Sequence, residues 1–318
     1  MRRFLAWWAA IALLAPAART EETGTPRALE SIYPGADALR AATGAVVCLV
    51  DTEHPDEVRK SLRDRPPYHL SLERVRLCIE LETAGLPCLL AHASMLSSND
   101  LARPCVRAVA FGARSRRGSG EDERRLHALI RGCPKPVLCL GGAQAILAEA
   151  WGGKVGVMRK LRPGEPDPDP SYVPGVLKET GFTPVRIVAR DPLFEGFGGT
   201  FEVWQRHSSE VKELPPAFEV IASTDACRVQ VCRHRERPQY GVQFVADRFD
   251  EPHPDGRRIL RNFFASTGID VERRVPEARA AYRARVRDRV AKVCREPAEL
   301  RRQTAPFVAV VGMERPEV

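Results

Sequence analysis

The sequence predicts an α/β fold: an open, mostly parallel sheet with helices on both faces. Three observations carry that expectation. Residues 136–155, PVLCLGGAQAILAEAWGGKV, read as a short buried strand, a glycine turn at Gly141 and Gly142, and a helix over 144–151 closed by a second Gly-Gly pair. Apolar runs at 45–51, 86–91 and 106–111 have the length and composition of buried strands. Helical patterns at 71–84 and 122–130 lie between these runs, the alternation that builds a parallel sheet.

Composition sets the class. The chain has 318 residues, 44% hydrophobic and 28% charged, which is globular material with enough length for a sizeable core. The formal charge of +8 suits anionic ligands or surfaces. It does not by itself make a nucleic-acid interface, and none is expected. Nine cysteines are present, an odd number, and no two have the C-x-x-C spacing of a zinc or redox motif. No cofactor and no metal is expected. Several of the cysteines sit in apolar runs, where a buried free thiol is the common state.

Residues 1–18 carry two arginines, an apolar run from Phe4 to Ala15 and then small residues, the layout of a secretory signal peptide. The expected location is therefore outside the cytoplasm, with an uncleaved N-terminal membrane anchor as the alternative. A polar linker is expected over 19–44 and a single domain over 45–268. A basic helical extension over 269–318 follows, a candidate for docking on the domain or for contact with an anionic surface.

Within the domain, Asp51, Glu53 and His54 follow the first strand, at the sheet edge where open α/β folds bind ligands; helix capping is the competing reading. After the third strand, Arg114, Arg116 and Arg117 lie among glycines in a loop suited either to holding an anion or simply to solvation. A strand-like 155–161 gives way to a Pro- and Asp-rich connection, and further strands are expected at 184–190, 218–224 and 239–244.

The stretch at 136–153 resembles the nucleophile segment of class I glutamine amidotransferases. Pro136, Val137, Leu138, Ala148, Ala150, Gly152 and Gly153 fall in register with it. Later segments keep the family's order: DPLFEGF at 191–197, FEVWQRHSSEV at 201–211, FEVIAST at 218–224, QYGVQF at 239–244 and DGRRILRNF at 255–263. The resemblance covers 45–266 and implies a flavodoxin-like sheet.

The same register changes the chemistry. The family's cysteine falls on Gly141, its general-base histidine on Val245 and the glutamate that orients it on Asp247. In that family a thiolate attacks the glutamine side-chain amide, the histidine shuttles protons and backbone N–H groups hold the oxyanion. Valine takes no proton and glycine offers no nucleophile. The resemblance therefore implies an exported protein that has lost glutamine hydrolysis and acts as a scaffold or keeps the old pocket for a glutamine-like or other small anionic ligand. Gly112, Gly141, Gly142, Gln144 and His207 are its expected lining. The alternative is an active glutamine or γ-glutamyl amide hydrolase with Cys139 as a relocated nucleophile. Cys139 lies two residues before the turn, about 6–7 Å back along the strand.

Overall fold

The computed structural model describes residues 33–58, 68–113, 120–250, 252–269 and 271. The expected leader, the arginine loop at 114–119 and the extension from 272 onward lie outside the described residues. Among the described residues no helix is long and apolar enough to cross a membrane.

Strands β1 (Val46–Asp51), β2 (Cys88–His92), β3 (Val106–Ala113) and β4 (Val137–Gly141) form the parallel part of one sheet. Every residue of β1 is buried, as are the first four of β4. Strands covered on both faces read as continuous apolar runs rather than alternating ones, which is why these segments are legible as strands. Helices α2 (Tyr68–Glu82), α3 (Ser98–Ala102), α4 (Glu121–Arg131) and α5 (Gly142–Ala150) make the crossovers. Helix α3 opens on a capping box in which Ser97 and Asp100 exchange hydrogen bonds.

Strand β11 (Gln239–Val242) adds to the sheet parallel to β4. From there β10 (Val231–His234), β9 (Phe218–Ser223), β6 (Glu179–Ile187) and β7 (Thr200–His207) pair antiparallel. The full order among the described residues is β2-β1-β3-β4-β11-β10-β9-β6-β7. A separate ribbon joins β5 (Lys154–Val157) to β8 (Ser209–Glu213). Helix α6 (Asp255–Ser266), the last among the described residues, buries Ile259, Leu260, Phe263 and Phe264. This is the flavodoxin-like α/β class that the sequence predicts.

Two of the differences from the sequence reading change the fold's outline, while the strands expected at 155–161 and 239–244 end earlier, at Val157 and Val242. Strand β6 begins at Glu179, not at 184, and runs through Pro184. It pairs β9 only at Arg186 and Ile187, so at Pro184 no ladder on that side calls for an N–H. The expected linker over 19–44 contains helix α1 (Gly35–Ala41), which belongs to the packed domain. Tyr33, Ala36 and Leu39 are fully buried, and the Tyr33 hydroxyl donates to Asp51 Oδ2 at the end of β1. A Cβ on Gly35 would meet the Leu90 carbonyl oxygen at 2.1 Å, so this helix seats directly on β2. A short polar-flanked helix gives little sequence signal; its fit against β2 makes it part of the fold.

Leu39→Ala is expected to cost about 2–5 kcal/mol, as for other fully buried leucines. Urea denaturation of the variant checks this, and a midpoint unchanged from wild type would return the segment to the status of a linker.

Candidate functional site

The site is built on the seam between β3, β4 and α5. Gly141 ends β4 and caps α5 with φ 56 and ψ −122. L-residues with a Cβ adopt that left-handed region only under strain, whereas glycine enters it freely. Gly141 pairs with Ala113 and Leu140 with Gly112, so the ends of β3 and β4 lie side by side. Gly141 and Gly142 are half-buried and reach the surface; Gly112 is buried. The Gly112 carbonyl accepts from both the Thr52 N–H and the Thr52 hydroxyl at 3.1 Å, and a Cβ there would strike Leu72 Cδ2 at 2.7 Å. Gly141 is the N-cap of α5 and has no side chain with which to cap the helix's first amides.

Gln144 lies in the first turn of α5, fully buried and turned into the sheet rather than toward solvent. Its amide nitrogen reaches the carbonyls of Val229, Gln230 and Gly241 at 3.2, 3.3 and 3.3 Å. Gly241 must be glycine for this, because a Cβ would meet Gln144 Cγ at 2.8 Å. Gln144 therefore fastens the helix to β11 and the turn before β10. His207 is also buried. It stands across from Glu179 on β6, with Nε2 3.0 Å from Glu179 Oε2 and Nδ1 3.0 Å from the Ser209 carbonyl. Of the five expected lining residues, only Gly141 and Gly142 are exposed to a ligand. Gly112, Gln144 and His207 sit below the surface as structural parts. Register along a strand told where they lie but not which way they are enclosed.

Val245 and Asp247, the other two positions that the resemblance aligns with catalytic residues, are both engaged in the packed fold. The Val245 N–H donates to the Trp204 carbonyl at 2.9 Å and its side chain is half-buried. Asp247 is buried and receives Arg74 Nε from α2 at 2.5 Å. A carboxylate so engaged is neutralised by a guanidinium, with no imidazole at 245 to orient. Next in sequence, the Arg248 guanidinium stacks 3.5 Å over the Trp204 ring. Burial, together with the charges of Arg74 and Arg206, pushes Arg248 down to about 10. Arg74 and Arg248 were missed in the sequence, since nothing local marks which arginines converge.

Cys139 is fully buried in β4, between Phe111 of β3 and Gly241 of β11. Burial, and then the neighbouring Cys232 and Cys133, holds its thiol well above the ordinary range. A nucleophile needs a thiolate and access; this position supplies neither. His54 lies in a cleft of about 50 Å³ between the loop after β1 and helices α4 and α5, with Nε2 3.7 Å from Asp122 Oδ2. Asp51 is buried under Tyr33. The structure thus gathers neither residue at the glycine turn.

Comparison with known proteins agrees with this architecture. The profile of the class-I glutamine amidotransferase family matches residues 111–266. A glutamine-hydrolysing GMP synthase subunit from Methanopyrus kandleri is 35% identical over 156 residues, which are 49% of this chain and 72% of that protein. The chain belongs to the class I glutamine amidotransferase family. The corresponding protein of Pyrococcus abyssi is 35% identical over 126 residues, 40% of this chain, and the match spans 56% of that relative's length. The crystal structure of a GMP synthase subunit-like protein from Thermoplasma acidophilum superposes with a TM-score of 0.52 at 19% identity, over 71% of this chain and 96% of that one, a likeness of fold.

Two outcomes follow for this member of the family. Arg74→Ala is expected to destabilise by about 3 kcal/mol, because it strands a buried carboxylate, and adding Asp247→Asn should recover most of the loss. Chemical denaturation of both variants checks this; equal losses would mean that the pair is not coupled. Cys139 should resist iodoacetamide in the native protein at about pH 8 and react after unfolding, as read by peptide mass mapping.

Proposed function

We propose that this chain is a non-hydrolysing member of its family that binds a small anionic molecule of the glutamine or carboxylate class at the Gly141–Gly142 turn. The observation that carries this reading is Gly141 itself: the turn that presents a nucleophile has no side chain to present. Val245 at the base position and the Arg74–Asp247 pair support it, because restoring one group alone would not rebuild proton transfer. The uncapped amides of α5 supply donors and a positive helix end, which favour a carboxylate or phosphate without any catalytic group.

Hydrolysis through Cys139 is the competing reading. It would need the buried thiol to leave the core and lose its proton, and the position of the residue in β4 weighs against both steps.

Export by residues 1–18 belongs to the same proposal, and N-terminal sequencing of the protein recovered from its producing cells checks it. A mature chain starting near residue 18 is expected, whereas a chain beginning at Met1 would contradict cleavage.

The functional test uses purified protein with glutamine and simple γ-glutamyl amides. Release of glutamate and ammonia should not exceed the buffer blank. Calorimetric titration with glutamine, glutamate and inorganic phosphate should detect binding. Gly142→Asp should weaken it by about tenfold or more while leaving the fold intact, since aspartate is tolerated in the first turn of a helix but repels an anion there. Turnover abolished by Cys139→Ala would overturn the reading, as would failure of all three probes to bind.

A further inference from the structure

The antiparallel half of the sheet holds a second group of chemically able side chains, apart from the glycine turn. Glu179 opens β6, His207 faces it from the end of β7, and Cys227 comes from the turn between β9 and β10. All three are buried, at 7%, 5% and 0% exposure. One ligand atom from each, a carboxylate oxygen, an imidazole nitrogen and the sulfur, lies within 4.8 Å of the other two.

The hydrogen bonding around His207 sets the protonation problem. Its Nδ1 lies 3.0 Å from the Ser209 carbonyl, which only accepts, so the proton of a neutral ring belongs on Nδ1. Nε2 then presents a lone pair. It stands 3.0 Å from Glu179 Oε2, which also presents lone pairs, and the contact is not aligned as a hydrogen bond: Nε2 has no hydrogen-bond partner although it is buried. Two acceptors facing each other repel unless a proton or a metal cation lies between them. A tetrahedral metal ion at about 2.0–2.1 Å from N and O ligands holds two of them about 3.3 Å apart and off the ring axis, close to what is seen here.

The surroundings match a metal's outer shell. Gln230 Nε2 donates to Glu179 Oε2 at 2.6 Å, and Gln205 Nε2 donates to Gln230 Oε1 at 2.9 Å. Ser209 fixes the ring of His207 through Nδ1, the usual way in which an imidazole ligand is oriented. Cys227 is held by its N–H to Thr224 Oγ1 at 3.0 Å. Carboxylate and thiolate together would balance a divalent charge.

We propose that Glu179, His207 and Cys227 form a buried zinc site, with the fourth position left to water or a small ligand. Sulfur, nitrogen and oxygen donors in a small set suit zinc above magnesium or calcium. Binding displaces the thiol proton of Cys227 to solvent, so uptake releases protons. The site stands independently of the proposed function at Gly141, although Gln230 links the two: its side chain holds Glu179 and its carbonyl receives Gln144. No metal was expected from the sequence, because the three ligands come from separate segments with no local spacing between them.

The test uses the full chain, stripped with a chelator, loaded with zinc and dialysed. Elemental analysis should find one equivalent per chain in wild type and in Cys139→Ala, and close to none in Cys227→Ser or His207→Gln. Cobalt in place of zinc should give a thiolate-to-metal charge-transfer band that Cys227→Ser removes and Cys139→Ala keeps. Gln230→Ala, outside the ligand set, should weaken zinc about 10–100-fold and keep the band at saturating cobalt. The variants' folds are followed by near-ultraviolet circular dichroism. Zinc content unchanged by Cys227→Ser and His207→Gln overturns the proposal. So does a folded wild type that retains no zinc, which would leave a protonated His207 paired with Glu179.

Discussion

One buried amide bridges the two halves of this sheet beside the β10–β11 ladder. Gln144 leaves the first turn of α5 and bonds three carbonyls, on Val229, Gln230 and Gly241. The parallel strands end at β11, and everything beyond runs antiparallel. This side chain therefore crosses the seam between the two topologies in the buried interior. An unpaired donor or acceptor there costs about 1–3 kcal/mol, so the group acts as a constraint rather than as a modest addition to stability. The absence of a Cβ at Gly241 and the close seating of α5 both follow from it.

The glycine turn shows how chemistry and architecture separate. In an elbow of this kind the backbone bears strain so that one side chain stands clear of the sheet. Gly141 keeps the backbone path, with φ 56, and drops the side chain, so the turn is retained at lower strain. The neighbouring changes are consistent with one another. Under the proposed function Val245 stands at the position of the base, and Asp247 is satisfied by Arg74. What the turn offers is two small residues at the start of a helix, which under the proposed function would bind charge without transferring protons.

The sequence made the central strand, turn and helix legible because each is a local pattern: an apolar run, two glycines, good helix formers. It misread α1 as linker, since that helix is recognisable only by its fit to β2 through Gly35 and Leu39. It placed Gly112, Gln144 and His207 correctly along the chain but assigned them to a pocket surface. Burial depends on neighbours from other segments: Leu72 over Gly112, Gly241 under Gln144, Glu179 against His207. Glu179 and Cys227 left no trace in the sequence, because antiparallel pairing and a turn bring them to His207 from separate segments on either side of it.

The cysteines have a consequence of their own. Eight lie among the described residues, none of these is disulfide-bonded and seven are buried. Thiols enclosed this way are shielded from oxidants for as long as the packing holds, and each of them becomes a cross-linking point when it opens. The native fold keeps these thiols redox-silent and the unfolded chain does not. In an oxidising compartment the race between burial and disulfide formation would then decide how much of the newly made chain reaches its folded state. Each later opening of the sheet would carry a risk of irreversible capture that a cysteine-poor relative of the same stability does not face.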